Sequence, residues 1–206
     1  MFKPILVLIL LLLNCLACAY SYEQEVYLRE MPQDIILGNK DAPVTFLEYS
    51  SLSCPMCAIL HEELFPELKT RYIDRGLVKY IHRNYPLNES ATCASMLLLC
   101  GGKEKYYLFL DSLFRTQSSW ATTSNYRDVI INIGQLGGLS SQFLSKCLMD
   151  EKVEKQLLKS RLDANNILEV KKTPTIFING VKMVGVDDKK QIFKVIEEKL
   201  EDGSKK

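Results

Sequence analysis

The 206-residue sequence predicts an α/β protein in which one mixed sheet is interrupted by an inserted all-helical domain. Three observations lead there. A strand–helix–strand pattern runs from Val44 to His82, with Cys54-Pro55-Met56-Cys57 where the first strand gives way to the helix. From Glu89 to about Asn165 the apolar spacing is helical throughout. The chain then returns to short β-patterned runs around Asn179-Gly180 and closes on an amphipathic helical stretch.

The N-terminus reads as a targeting segment. Phe2-Lys3 gives a short basic start, Ile5 to Leu13 a continuous apolar run, and Ala17-Cys18-Ala19 a small-x-small cleavage site. The apolar run is short for a membrane span, so residues 1–19 are expected to be a signal peptide cleaved after Ala19. A lipoprotein reading competes, because Leu16-Ala17-Cys18 is similar to the end of a lipid-attachment signal, although Cys15 stands where such signals usually carry Leu. Both readings take the chain out of the cytoplasm, to where disulfides persist. The net charge of +1 offers no basic footprint for nucleic acid, and no glycine-rich loop is patterned to cradle phosphate. After the leader no apolar run is long enough to predict a second span.

Residues 20–88 are assigned to the first part of the sheet domain. A short strand is expected near Ile35-Ile36-Leu37, and Val44 to Tyr49 has the β-branched and aromatic content of a buried strand. Ala58, Ile59, Leu60, Leu64 and Phe65 continue with helical spacing, and Pro66 should kink or end that helix. Leu77 to His82, after Gly76, is the next strand. Strand, helix and strand of this length form a right-handed βαβ unit with a parallel pair.

Residues 89–165 are assigned to the insertion. Ser90 to Cys100 stops at Gly101-Gly102, and Lys103 to Arg115 carries Tyr107, Leu110 and Phe114 on one face. Asn125 to Leu136 stops at Gly137-Gly138; Ser140 to Met149 starts on a serine cap; Glu151 to Leu162 carries Val153 and Leu157. Such faces read as core rather than as cofactor surfaces. Residues 166–206 complete the sheet domain. Thr175 to Ile178 and Lys182 to Val184 flank Asn179-Gly180, a two-residue hairpin signal. The last helix carries Ile192, Phe193, Ile196 and Leu200, and the tail from Glu201 is expected to be disordered.

The chemistry concentrates at Cys54 and Cys57. Two cysteines three apart at a helix start can close a small disulfide, and the unpaired N–H groups there favour a thiolate on the first. Helix geometry makes Cys54 the exposed nucleophile and Cys57 the shielded partner. Half of a zinc or copper site is the competing reading, but structural zinc wants four ligands, no second C-x-x-C exists, and His61 is the one nearby histidine. An inert structural pair is the other competitor.

These residues identify the chain as similar to the DsbA-like branch of the thioredoxin superfamily, the thiol:disulfide oxidoreductases of the bacterial cell envelope. The resemblance runs from Leu37-Gly38-Asn39 through the last helix. It is carried by Leu47-Glu48-Tyr49-Ser50-Ser51-Leu52-Ser53-Cys54-Pro55-Met56-Cys57, by Tyr85-Pro86-Leu87 and by Thr173-Pro174-Thr175. It implies a thioredoxin fold with an inserted helical domain. It also implies a cis Pro174 facing the cysteines, with Thr173 against the sulfurs and its backbone free to pair with a bound peptide. An ordinary trans proline at a strand start is the competing reading of Pro174. Glu48 matches the family's buried acid, which relays protons to and from Cys57; a solvated charge at a strand end is its competing reading. Met56 departs from the family, where histidine is usual, and should leave the centre less oxidising.

The resemblance implies an oxidase that introduces disulfides into exported proteins, with the Cys54–Cys57 disulfide as its redox group, no other cofactor and no metal. Its implied partners are reduced, unfolded exported proteins and a membrane quinone-linked reoxidant of the DsbB type. A monomer in the periplasm is implied. A disulfide isomerase or reductase of the same superfamily is the near alternative, and an exported Cu(I) chaperone using the same thiolates is the distant one. Of the seven cysteines, Cys93, Cys100 and Cys147 remain beyond the leader and the active pair. Cys93 and Cys100 are about 10.5 Å apart along one helix, beyond disulfide reach. A second bond must therefore use Cys147. Cys100 and Cys147 both lie near helix ends, and some DsbA-like relatives carry a pair at similar places, which favours a structural Cys100–Cys147 disulfide. Cys93–Cys147 and free thiols stay open.

Overall fold

The computed structural model describes residues 21–185 and 188–204. The leader, with its cleavage site after Ala19 and the alternative lipid attachment at Cys18, lies outside the described residues. A five-stranded sheet has the order β1-β3-β2-β4-β5. Its strands are β1 (Ile36–Leu37), β2 (Val44–Ser50), β3 (Val78–Asn84), β4 (Thr175–Ile178) and β5 (Val181–Val184). β2 and β3 pair in parallel from Val44↔Val78 to Ser50↔Asn84, while the other neighbours are antiparallel. Asn179 and Gly180 both take positive φ (44° and 85°), the two-residue turn that their residue types favour. This is the mixed α/β sheet with a helical insertion that the sequence predicts.

Strand alternation sorts the side chains of β2 onto two faces. Val44 and Phe46 join a large cluster with Leu52, Cys57, Leu60, Tyr80, Ile192 and Ile196. Leu47 and Tyr49 join a smaller cluster with Ile81, Phe177, Ala164 and Leu168. The large cluster is covered by α2 (Pro55–Glu63) and α9 (Lys189–Ser204) and runs on into the insertion. The smaller one lies under α1, helical over residues 21–28, and the end of α8 (Glu151–Ile167). The buried Arg83 guanidinium fastens the segment after α1 to β3, donating to Asp34 and to the carbonyls of Tyr27 and Arg29.

Pro66 acts through a bend that comes before it. The chain breaks at Leu64, and Pro66 occupies the first turn of α3 (Phe65–Leu68), where its missing N–H costs nothing. A turn of π-helix, Lys69–Ile73, leads on toward β3.

The insertion comprises α4 (Glu89–Arg115), α5 (Gln117–Trp120), α6 (Tyr126–Leu136), α7 (Ser141–Cys147) and α8 (Glu151–Ile167). α4 is two helices joined at Gly102, whose φ of 63° lies where side chains with a Cβ are disfavoured. Asn88, Ser140 and Asp150 cap α4, α7 and α8 by accepting from first-turn N–H groups. α8 reaches past residue 165 and lays Ala164 and Leu168 against the sheet. The disordered tail expected from Glu201 is corrected: α9 continues to Ser204, with Lys199 near Asp202 along its last turn. Among the described residues, no helix is long and apolar enough to cross a membrane.

Candidate active site

The site is built where β2 ends and α2 begins. Cys54 is the N-cap of α2, with extended backbone (φ −83°, ψ 119°) and no side-chain cap, and Pro55 occupies the first turn. The missing N–H of Pro55 costs nothing there, and the N–H groups of Cys57 and Ala58 close the first turn on the Cys54 carbonyl at 3.1 and 3.2 Å. Both thiols are free. Cys57 is fully buried, and Cys54 keeps 9% of its surface, so the exposed nucleophile expected from helix geometry is a partly shielded one. Gln117 of α5 reaches the start of α2, and α4 packs against its other end at His61, which sequence spacing does not reveal.

Cys54 is held well below the ordinary thiol range, at about 5. The hydrogen bond from the Cys57 thiol is the largest cause; the Thr173 hydroxyl and the N–H groups of Cys57 and Met56 add to it, against the cost of burial. Cys57 is pushed up by burial first, then by the hydrogen bond and charge of Cys54 and by Glu48. The two sulfurs thus divide the work, one poised as a thiolate and the other as a neutral thiol.

Residues distant in sequence complete the setting. The Thr173–Pro174 bond is cis, and the Thr173 carbonyl accepts from the Cys54 thiol at 3.4 Å. Glu48 is a buried carboxyl, 4% exposed, on the β2 face that looks toward the cysteines. Burial pushes it up to about 7, while the hydrogen bond from Tyr80 and the nearby Ser50 hydroxyl oppose the rise. The Tyr80 hydroxyl donates to Glu48 Oε2 at 2.7 Å. Met56 is 41% exposed beside the pair and offers no donor to it beyond its backbone.

Gln117, which sequence reading did not single out, reaches from α5 to the cysteine loop. Its Nε2 donates to the Leu52 carbonyl at 2.7 Å and to the Cys54 carbonyl at 3.0 Å. Its only signal in the sequence is a polar residue between two apolar helical runs. His61 packs against α4: its Nε2 meets Asp111 at 3.1 Å, and its ring contacts those of Phe65 and Phe114. Among the described residues no group of three His, Cys, Asp or Glu side chains is placed to hold a metal. Cys100 and Cys147 are disulfide-bonded, Cα atoms 6.1 Å apart, tying α4 just before its Gly102 joint to the end of α7. Cys93 stays a free, buried thiol within α4.

A family model described as Thioredoxin matches residues 30–198. A Rickettsia bellii protein named as a protein-disulfide oxidoreductase is 37% identical over 153 residues, which are 72% of this chain and 58% of that protein. The chain therefore spans little more than half the length of that relative. Disulfide bond formation protein D of Bacillus subtilis is 27% identical over 80% of this chain and 76% of its own length. The crystal structure of Wolbachia pipientis alpha-DsbA1 superposes with a TM-score of 0.83 at 29% identity, covering 88% of this chain and 98% of that one. The family match over residues 30–198 and the shared fold show that the chain belongs to the thioredoxin family, in its DsbA-like branch.

Proposed function

We propose that this protein is a thiol:disulfide oxidoreductase that introduces disulfide bonds into exported proteins. The observation that carries this reading is the division of labour between a stabilised Cys54 thiolate and a buried Cys57 thiol. In the oxidised enzyme a substrate thiolate attacks Cys54 Sγ, and Cys57 leaves. A second substrate thiol then attacks the substrate sulfur of the mixed disulfide, forming the substrate's bond and releasing Cys54 as a thiolate. Glu48, poised near neutrality, exchanges the proton that Cys57 takes up on leaving. Stabilising Cys54 as a thiolate stabilises the dithiol form, which favours oxidation of the substrate.

The redox group is the Cys54–Cys57 disulfide itself. Reduced, unfolded exported proteins are the proposed substrates, and a quinone-linked membrane protein of the DsbB type is the proposed reoxidant. The basic, apolar and small-residue order of the first 19 residues supports export to the periplasm. Mixing the oxidised protein with a reduced dithiol peptide tests the reading. One peptide disulfide should form per protein, and Cys54→Ser should abolish it. A peptide that stays reduced would contradict the assignment.

A further inference from the structure

Ser50 ends β2, two residues after Glu48, and pairs in register with Asn84. Strand alternation places it on the face of Phe46 and Glu48, toward the cluster that holds Cys54 and Cys57. It is 1% exposed, yet its Oγ has no hydrogen-bond partner of normal geometry. An unpaired buried hydroxyl is costly, and alanine would fill the same position without that cost. The hydroxyl nevertheless lies near enough to Glu48 and to Cys57 to lower the value of each. It therefore adjoins two groups that must exchange a proton, and it is committed to neither.

We propose that Ser50 is a catalytic residue of the exchange, its hydroxyl carrying the proton between the Glu48 carboxyl and Cys57 Sγ. The inference rests on the reading of Cys54–Cys57 as an exchanging pair and of Glu48 as its acid. As the substrate thiolate bonds to Cys54 Sγ, the Cys54–Cys57 bond breaks and its electron pair leaves on Cys57 Sγ. The Ser50 Oγ proton passes to that sulfur, and the protonated Glu48 carboxyl returns a proton to Oγ. The products are a mixed disulfide at Cys54, a neutral Cys57 thiol, an unchanged Ser50 and a Glu48 carboxylate. When the enzyme is reoxidised the same path runs backward, with Glu48 as base. Tyr80 does not serve this path, because its hydroxyl is already donated to Glu48.

The test is the single-turnover reduction of the oxidised protein by a dithiol peptide at pH 7, compared among wild type, Ser50→Ala, Glu48→Gln and the double variant. Ser50→Ala should slow the reaction by about a hundredfold or more, the scale of general acid–base catalysis, without moving the Cys54 thiolate titration. Glu48→Gln should slow it too, and the double variant should be no slower than the slower single. In mixed light and heavy water the wild-type rate should curve with deuterium fraction, as two protons in flight require, and Ser50→Ala should lose the curvature. A wild-type rate in Ser50→Ala beside a slowed Glu48→Gln would overturn the role of Ser50 and leave Glu48 as the acid. Multiplied losses in the double variant, or a straight deuterium dependence in wild type, would also overturn it. Exchange that persists in Cys54→Ser would instead overturn the underlying reading of the pair.

Discussion

At the scale of residues, the site is a set of ionisations biased by position. The Cys54 thiolate is favoured by donors that exist only because Cys54 begins a helix beside Cys57 and Thr173. Alkylation of the reduced protein is expected to modify Cys54 before Cys57 and Cys93, with half-maximal reactivity near pH 5. First modification at Cys57 would contradict that order. Met56→His should add a donor beside the thiolate, lowering the Cys54 value and raising the reduction potential; an unchanged potential would assign the poise to Thr173 and the helix start. Glu48 obeys the opposite sign. Its folded-state value is raised from 4.5 to about 7, so folding disfavours the carboxylate, and stability falls as pH rises through that window. Glu48→Gln is expected to be the more stable protein above pH 7, by about 1–3 kcal/mol, and no more stable than wild type below pH 4. Denaturant melts at the two pH values measure both.

At the scale of elements, what was legible follows local pattern and what was missed is long-range. The C-x-x-C junction, the βαβ unit, the Asn179-Gly180 hairpin and the Gly101-Gly102 joint in α4 are all written in neighbouring residues. The break that Pro66 signals falls at Leu64, because Pro66 sits in the first turn after the bend rather than in the bend itself. α1 carries no strong periodic signal, and its place is fixed by Arg83, far away in sequence. Gln117 is invisible for the same reason: its bonds span 65 and 63 residues. Gln117→Ala should cost about 0.5–1.5 kcal/mol for each hydrogen bond lost and should raise the pH at which Cys54 is alkylated. A loss of stability with unchanged alkylation would confine Gln117 to a structural role. The Cys100–Cys147 bond closes a span of 47 residues. Replacing both cysteines by serine should lower stability by about 2–4 kcal/mol, read by denaturant melts, while dithiol oxidation survives, because neither sulfur reaches the active pair.

At the scale of the whole molecule, the fold gathers the site from distant parts of the chain. The sheet brings Glu48 and Thr173 to one end from opposite parts of the chain, across the β2–β4 pairing. The insertion covers that end and holds the cysteine loop through Gln117. Residue types alone carried the fold class and the reactive pair, since both depend on short motifs; the polar environment that sets the ionisations came only with the tertiary structure. The central claim is that this environment favours the dithiol form and so makes the protein an oxidant. It is tested most directly by the reduction potential of the Cys54–Cys57 couple, measured by equilibration with glutathione at pH 7 and repeated across pH. The expected value is above about −200 mV, on the oxidising side of the range spanned by such enzymes. The slope should ease from about 60 to about 30 mV per pH unit as pH rises through 5, where one of the two thiols stops taking a proton. A potential near about −270 mV, with the steeper slope persisting to pH 8, would contradict the account.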